Sequence, residues 1–108
     1  MKVSELIGPV FRIVSLPDCD REIDGVYIGD LLSWVMGRCS ADSAWITIMS
    51  NVNILAVATL ADPAVIILSE GVTVSDEIVE TAEKKGINIL STELPSYEAA
   101  VELYKRMQ

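Results

Sequence analysis

Between Ala44 and Gly71 the chain reads AWITIMSNVNILAVATLADPAVIILSEG, and this stretch narrows the possible folds more than any other. Ala44–Met49 is apolar with Trp, Ile and Thr, which suits a buried strand. Ser50-Asn51-Val52-Asn53 is a polar break. Ile54–Leu60 is rich in Ala and Leu and apolar on every side, the pattern of a helix buried on most of its surface. Asp62-Pro63 ends that helix, because the residue before proline is pushed out of the helical region. Ala64–Leu68 is an uninterrupted apolar run, as expected of a central parallel strand covered on both faces. Strand, helix and strand in this order form a right-handed βαβ crossover.

The flanking segments extend the pattern. Lys2–Ile7 predicts one helical turn, stopped by Gly8-Pro9, and Val10–Leu16 a strand with Val10, Arg12 and Val14 on one side. Pro17–Asp20 is a turn, and Gly25–Ile28 a short strand ending at Gly29. Asp30–Met36 starts a helix with Asp30 as N-cap or first-turn acid. Leu31, Trp34, Val35 and Arg38 mark one face at helical spacing, with Leu31, Leu32 and Trp34 expected in the core. Ser75 caps a helix over Asp76–Lys85, and Gly86 is its C′ residue. Ile87–Leu90 is the next buried strand. Ser96 caps a last helix whose inner face is Tyr97, Ala100, Val101 and Tyr104. These elements predict one α/β domain over residues 1–108: a three-layer sandwich with a mixed, mostly parallel sheet flanked by helices.

Composition closes several functional classes. The chain has 8 Lys and Arg against 16 Asp and Glu, a net charge of −8. Such a surface repels a phosphate backbone, so nucleic acid is not an expected partner. No apolar run approaches the length of a membrane span, so no membrane partner is expected either. MKVSELIGPVF has Ser and Glu where a signal peptide needs its apolar stretch. Cys19 and Cys39 lack a C-x-x-C spacing, and the expectation is two reduced thiols in a cytoplasmic protein.

The chemistry is limited further by what the chain lacks. It has no histidine, which removes imidazole as base or ligand. It has no P-loop and no G-x-G-x-x-G. The cysteines lack metal-ligand spacing, so neither a metal nor a cofactor is expected. Three polar loops follow the apolar strands, where open α/β sheets bind ligands. They nominate Gly29, Asp30, Ser33, Thr47, Asn51, Asn53 and Ser69 as a candidate small-ligand site. The same residues also have a local reading: Asp30 and Asn51 as helix caps, Asn53 and Ser69 as partners of turn backbone. Asp30 or Glu70 would be the base of an enzyme, a third and weaker reading.

The segments Gly25–Ser33, Ala44–Ile48, Asn53-Ile54, Ala56–Ala58, Ile66-Ile67, Glu80–Gly86 and Ile89-Leu90 together resemble the DRTGG domain family, over nearly the whole chain from about Val10. The resemblance implies a fold like the N-terminal domain of HPr kinase/phosphorylase, without the kinase's catalytic P-loop. It also implies an accessory module, of the kind found beside CBS domains in a regulated inorganic pyrophosphatase, at the front of some phosphotransacetylases, or as a small stand-alone protein. The eponymous Asp-Arg-Thr-Gly-Gly is absent; Ser50–Asn53 takes the corresponding turn, with Asn51 where stand-alone relatives often carry histidine. The expected function is thus a non-catalytic regulatory or interaction module, self-associating as a homodimer, with Trp34, Met36 or Met49 as candidate contacts. The alternative is a sensor of a nucleotide or other metabolite at the carboxyl edge of the sheet. A protein partner or a small-molecule effector is expected in either case.

Overall fold

The computed structural model describes residues 1–108. The strands are β1 (Arg12–Ser15), β2 (Gly25–Ile28), β3 (Ser43–Thr47), β4 (Val65–Leu68) and β5 (Ile89–Ser91); the helices are α1 (Leu32–Arg38), α2 (Asn53–Ala61), α3 (Asp76–Lys85) and α4 (Ser96–Arg106), preceded by a 3-10 turn at Val3–Leu6. The sheet order is β1-β5-β4-β3-β2. β2, β3, β4 and β5 run parallel, and β1 closes one edge antiparallel to β5, with a register irregularity between Ile13 and Ser15. The sheet is mixed and mostly parallel, as its sequence pattern predicts.

Two cores sit on its faces. One packs Trp45, Ile66, Leu68 and Ile89 against Val35 of α1, Ile54, Leu55 and Ala58 of α2, and Ile78 and Ala82 of α3. The other packs Ala44, Ile46, Ile67 and Leu90 against Ala99 and Leu103 of α4 and Val3, Leu6 and Phe11 near the N-terminus. Every residue of β3 and β4 is buried, because alternate side chains enter opposite cores. These are the three layers. No helix is long and apolar enough to cross a membrane.

Helix ends follow local chemistry where a cap is present. The Ser75 hydroxyl accepts from the Ile78 amide at 3.3 Å, and Gly86 ends α3 in the left-handed conformation. Two helix faces differ from expectation. Leu31 is extended and outside α1, and both Leu31 and Trp34 are more than half exposed. With the helix beginning at Leu32, the inward positions are Leu32, Val35 and the following Cys39, three to four residues apart. Trp34 instead lies under the Arg38 guanidinium, 4.0 Å from ring centroid to carbon. On α4 the inner residues are Ala99 and Leu103, whereas Tyr97 and Tyr104 face solvent. Alanine lets α4 lie close over β2 and β3; a tyrosine there would hold it off.

Arginines fasten the periphery. Arg21 donates to Asp42 Oδ1 from Nε and Nη2 at 3.0 and 2.9 Å and reaches Asp62 Oδ1 at 2.9 Å. Both aspartates have positive φ, so one guanidinium holds two left-handed turns at the amino edge of the sheet. Arg106 reaches the Leu6 carbonyl at 3.1 Å and pairs with Glu102 at 3.0 Å, joining α4 to the N-terminal turn. Cys19 and Cys39 are free thiols. Burial pushes the Cys39 thiol up from its ordinary value, which lowers its thiolate population. Iodoacetamide is therefore expected to label Cys19 roughly tenfold faster than Cys39 in the folded chain. Equal rates, read by peptide mass spectrometry, would mean that the end of α1 opens readily.

Candidate functional site

The parallel register brings the carboxyl ends of β2, β3, β4 and β5 to one edge, and the loops that follow supply the candidate residues. Gly29 and Asp30 leave β2. The Gly29 carbonyl accepts from the buried Trp45 indole at 2.9 Å. A Cβ on Gly29 would stand 2.8 Å from the Tyr27 ring, so a larger residue would push that ring aside. Asp30 does not cap α1, whose N-cap is Leu31 without a side-chain bond. Its Oδ1 accepts instead from the Thr47 hydroxyl at 2.8 Å and the Ile48 amide at 3.0 Å. Thr47, fully buried, in turn accepts from the Met49 amide at 3.1 Å. The chain from Asp30 to Met49 thus locks the β2 exit onto the β3 exit.

The other nominated residues fall into separate places. Asn51 Oδ1 accepts from the Asn53 amide at 2.9 Å, a local turn that precedes α2. Asn53 and Ser33 are exposed at the first turns of α2 and α1. Ser69 is buried and shares a 2.7 Å hydrogen bond with Ser96, at the start of α4 in the opposite layer. The structure therefore brings Asp30 and Thr47 together, sets Asn51 and Asn53 on one turn, and turns Ser69 away from both. Ser96 is not the cap of α4; Pro95 holds that position, and the serine hydroxyl ties β4 to the helix. No three metal-ligating side chains gather anywhere.

The same edge carries a cleft of about 350 Å³ beside β5. The loop Glu70-Gly71 forms part of its wall. Both residues are left-handed, and their amides donate to the Leu94 and Thr92 carbonyls at 2.9 Å each. Glu93 packs directly on Gly71, where a Cβ would collide with its carboxylate. Arg12, Thr73 and Ser91 also line this cleft. Sequence reasoning did not single them out, because they come from three segments that converge only in the fold; the available signal was Arg12 on the same side of the expected strand as Val10 and Val14. A second groove, about 590 Å³ and apolar, lies between the free edge of β2 and α4.

The family model described as the DRTGG domain matches residues 18–105, in agreement with the resemblance carried by the sequence. Among solved structures, one similar in fold is the crystal structure of the CBS and DRTGG domains of the regulatory region of Clostridium perfringens pyrophosphatase, complexed with its activator diadenosine tetraphosphate. It superposes with a TM-score of 0.65 at 18% identity, over 83% of this chain and 40% of that chain. The chain thus spans less than half of that regulatory region. No curated protein matches.

Proposed function

We propose that this chain, which belongs to the DRTGG domain family, is a regulatory module without a reaction of its own and works as a homodimer. The observation that carries the reading is the groove along β2. It is lined by Val26, Ile28, Ala100, Val101, Tyr104 and Met107, with Gln108 as the one polar side chain. Val26, Ile28 and Tyr104 are exposed. β2 pairs with β3 on one side only, and its Gly25-Val26-Tyr27-Ile28 sequence has none of the lysine, proline or bulge devices that guard a free edge. A second copy related by a twofold axis brings the same strand and the same apolar strip. The absence of charged side chains in the groove lets two chains of net charge −8 meet there with the carboxylates held outside.

The non-catalytic reading draws support from the use of one of the two candidate bases. Asp30 is engaged by two donors as a structural clasp. The two free thiols suit a reducing cytoplasm. An effector site on the same module is the second reading, favoured by the open cleft beside β5 and by the activator in the related regulatory region.

Sedimentation velocity at micromolar concentration tests the first reading. A dimer of the 11.8 kDa chain is expected, and Ile28→Lys should weaken it by about a hundredfold or more while preserving the far-ultraviolet circular dichroism, since a buried apolar contact becomes a buried charge. Leu60→Lys, on the exposed face of α2, should leave the dimer intact. A monomer at every concentration would remove the self-association reading. A dimer broken only by Leu60→Lys would move the interface to α2.

A further inference from the structure

We propose that the cleft beside β5 binds a small zwitterion of the α-amino-acid class, its carboxylate on Arg12 and its ammonium group on Glu93. This rests on the effector reading and gives it a ligand class and a place. Along the rest of the carboxyl edge the nominated carboxylate and every nominated hydroxyl but that of Ser33 are paired inside the chain: Asp30 with Thr47, and Ser69 with Ser96. Around the cleft they are not. Arg12 and Glu93 take part in none of the ion pairs of the molecule. The Thr73 and Ser91 hydroxyls make no intramolecular hydrogen bond, and the amides of Thr73 and Glu93 have no acceptor in the chain. Opposite charges that line one cleft without meeting each other leave a place for a molecule carrying both.

The walls fit the rest of such a ligand. Val10, Val72 and Leu94 supply an apolar side for an amino-acid side chain, and the hydroxyls and amides can complete the hydrogen bonds of its carboxylate. The volume is at the small end of ligand sites. The wall at Gly71 is firm, because the Gly71 amide and that of the preceding Glu70 stitch it to the Thr92–Leu94 loop; little ordering is left to be done on binding. Charge separates the zwitterion from a phosphate ester. A nucleotide would bring added negative charge toward Glu93 on a chain already at −8, whereas a zwitterion adds none.

The test uses the intact protein, labelled with nitrogen-15. Each of the standard free L-amino acids is titrated at millimolar concentration, beside adenosine monophosphate, diadenosine tetraphosphate, and N-acetyl and amide derivatives of any amino acid that binds. The expected result is saturable shifts of the Gly71, Thr73, Ser91 and Leu94 amides with at least one free amino acid. Arg12→Gln and Glu93→Gln, both at exposed positions, should each weaken binding by about tenfold or more, and blocking either end of the ligand should do the same. Shifts confined to other residues, or affinities unchanged in both variants, would overturn the assignment. Binding of the nucleotides alone would overturn the zwitterion and keep the effector reading. No binding by any probe would remove both.

Discussion

Replacing Trp45 with alanine is expected to lower the unfolding free energy by about 3–5 kcal/mol, a large part of the 5–15 kcal/mol typical of a domain. The indole is fully buried at the centre of β3, in the core shared by α1, α2 and α3. Its removal leaves a cavity between rigid neighbours, and the surrounding strands cannot close on it. A second effect can be separated by Trp45→Phe. That change keeps most of the volume but strands the Gly29 carbonyl, which now accepts from the indole at 2.9 Å. It should cost about 1–3 kcal/mol and speed hydrogen exchange in the Gly29–Leu31 loop. Urea titration followed by far-ultraviolet circular dichroism reads both. Trp34→Ala is the control: the residue is 53% exposed, so loss of its ring should stay within about 1 kcal/mol, mostly the contact with Arg38. Equal costs for the two alanine variants would contradict the placement of Trp45.

The contrast between the two tryptophans shows what was legible beforehand. Trp45 sits in an apolar run bounded by polar turns, and a parallel strand buried on both faces is the natural reading of such a run. α3 was legible for another reason: its serine cap, charged outer face and terminal glycine all agree. α1 was not. Leu31, Leu32, Trp34, Val35 and Met36 are all apolar, so periodicity carries no phase, and in a helix of seven residues the entry angle decides which ones turn inward. That angle is fixed by the extended Leu31, which is why a core role for Leu31 fails. α4 offers two apolar stripes, and side-chain size rather than hydropathy selected Ala99 and Leu103 over the tyrosines. The site followed the same logic. Asp30 looked like a cap because the residues after it look helical. Its partners Thr47 and Ile48 belong to a neighbouring strand, and only the β2–β3 register brings them into reach. Arg12 and Glu93 come to line one cleft through the β1–β5 pairing, which no local pattern announces.

Asn88→Ala is expected to destabilise the chain by about 2–4 kcal/mol, although it removes only one small polar side chain. Asn88 is 2% exposed. Its Nδ2 donates to the Asp18 carbonyl at 2.7 Å and the Ala64 carbonyl at 3.0 Å, while Oδ1 accepts from the Asp18 amide at 3.0 Å. One side chain therefore joins the turn after β1, the entry to β4 and the entry to β5. Alanine leaves the Asp18 amide and the Ala64 carbonyl without partners and the Asp18 carbonyl with only the Arg21 amide at 3.4 Å, and the Ala64 carbonyl is too deep for easy hydration. Asn88→Asp sharpens the test. A carboxylate has the same shape and keeps the Asp18 amide on one oxygen, but its other oxygen, in place of Nδ2, would face two carbonyl oxygens without a donor. Burial and this repulsion should raise the new group's pKa above the ordinary carboxylate value. The folded state of the variant then binds its proton more tightly than the unfolded state. Its deficit relative to wild type should shrink as pH falls from about 7 to about 5 and grow as pH rises through the raised pKa. Urea titrations at the two pH values measure this. A deficit that does not change with pH would mean that water reaches the aspartate and the pocket is not closed. Because Asp18 follows β1 and Asn88 precedes β5, either substitution should also raise hydrogen exchange along that edge pair, the one that carries Arg12 and Ser91 to the cleft.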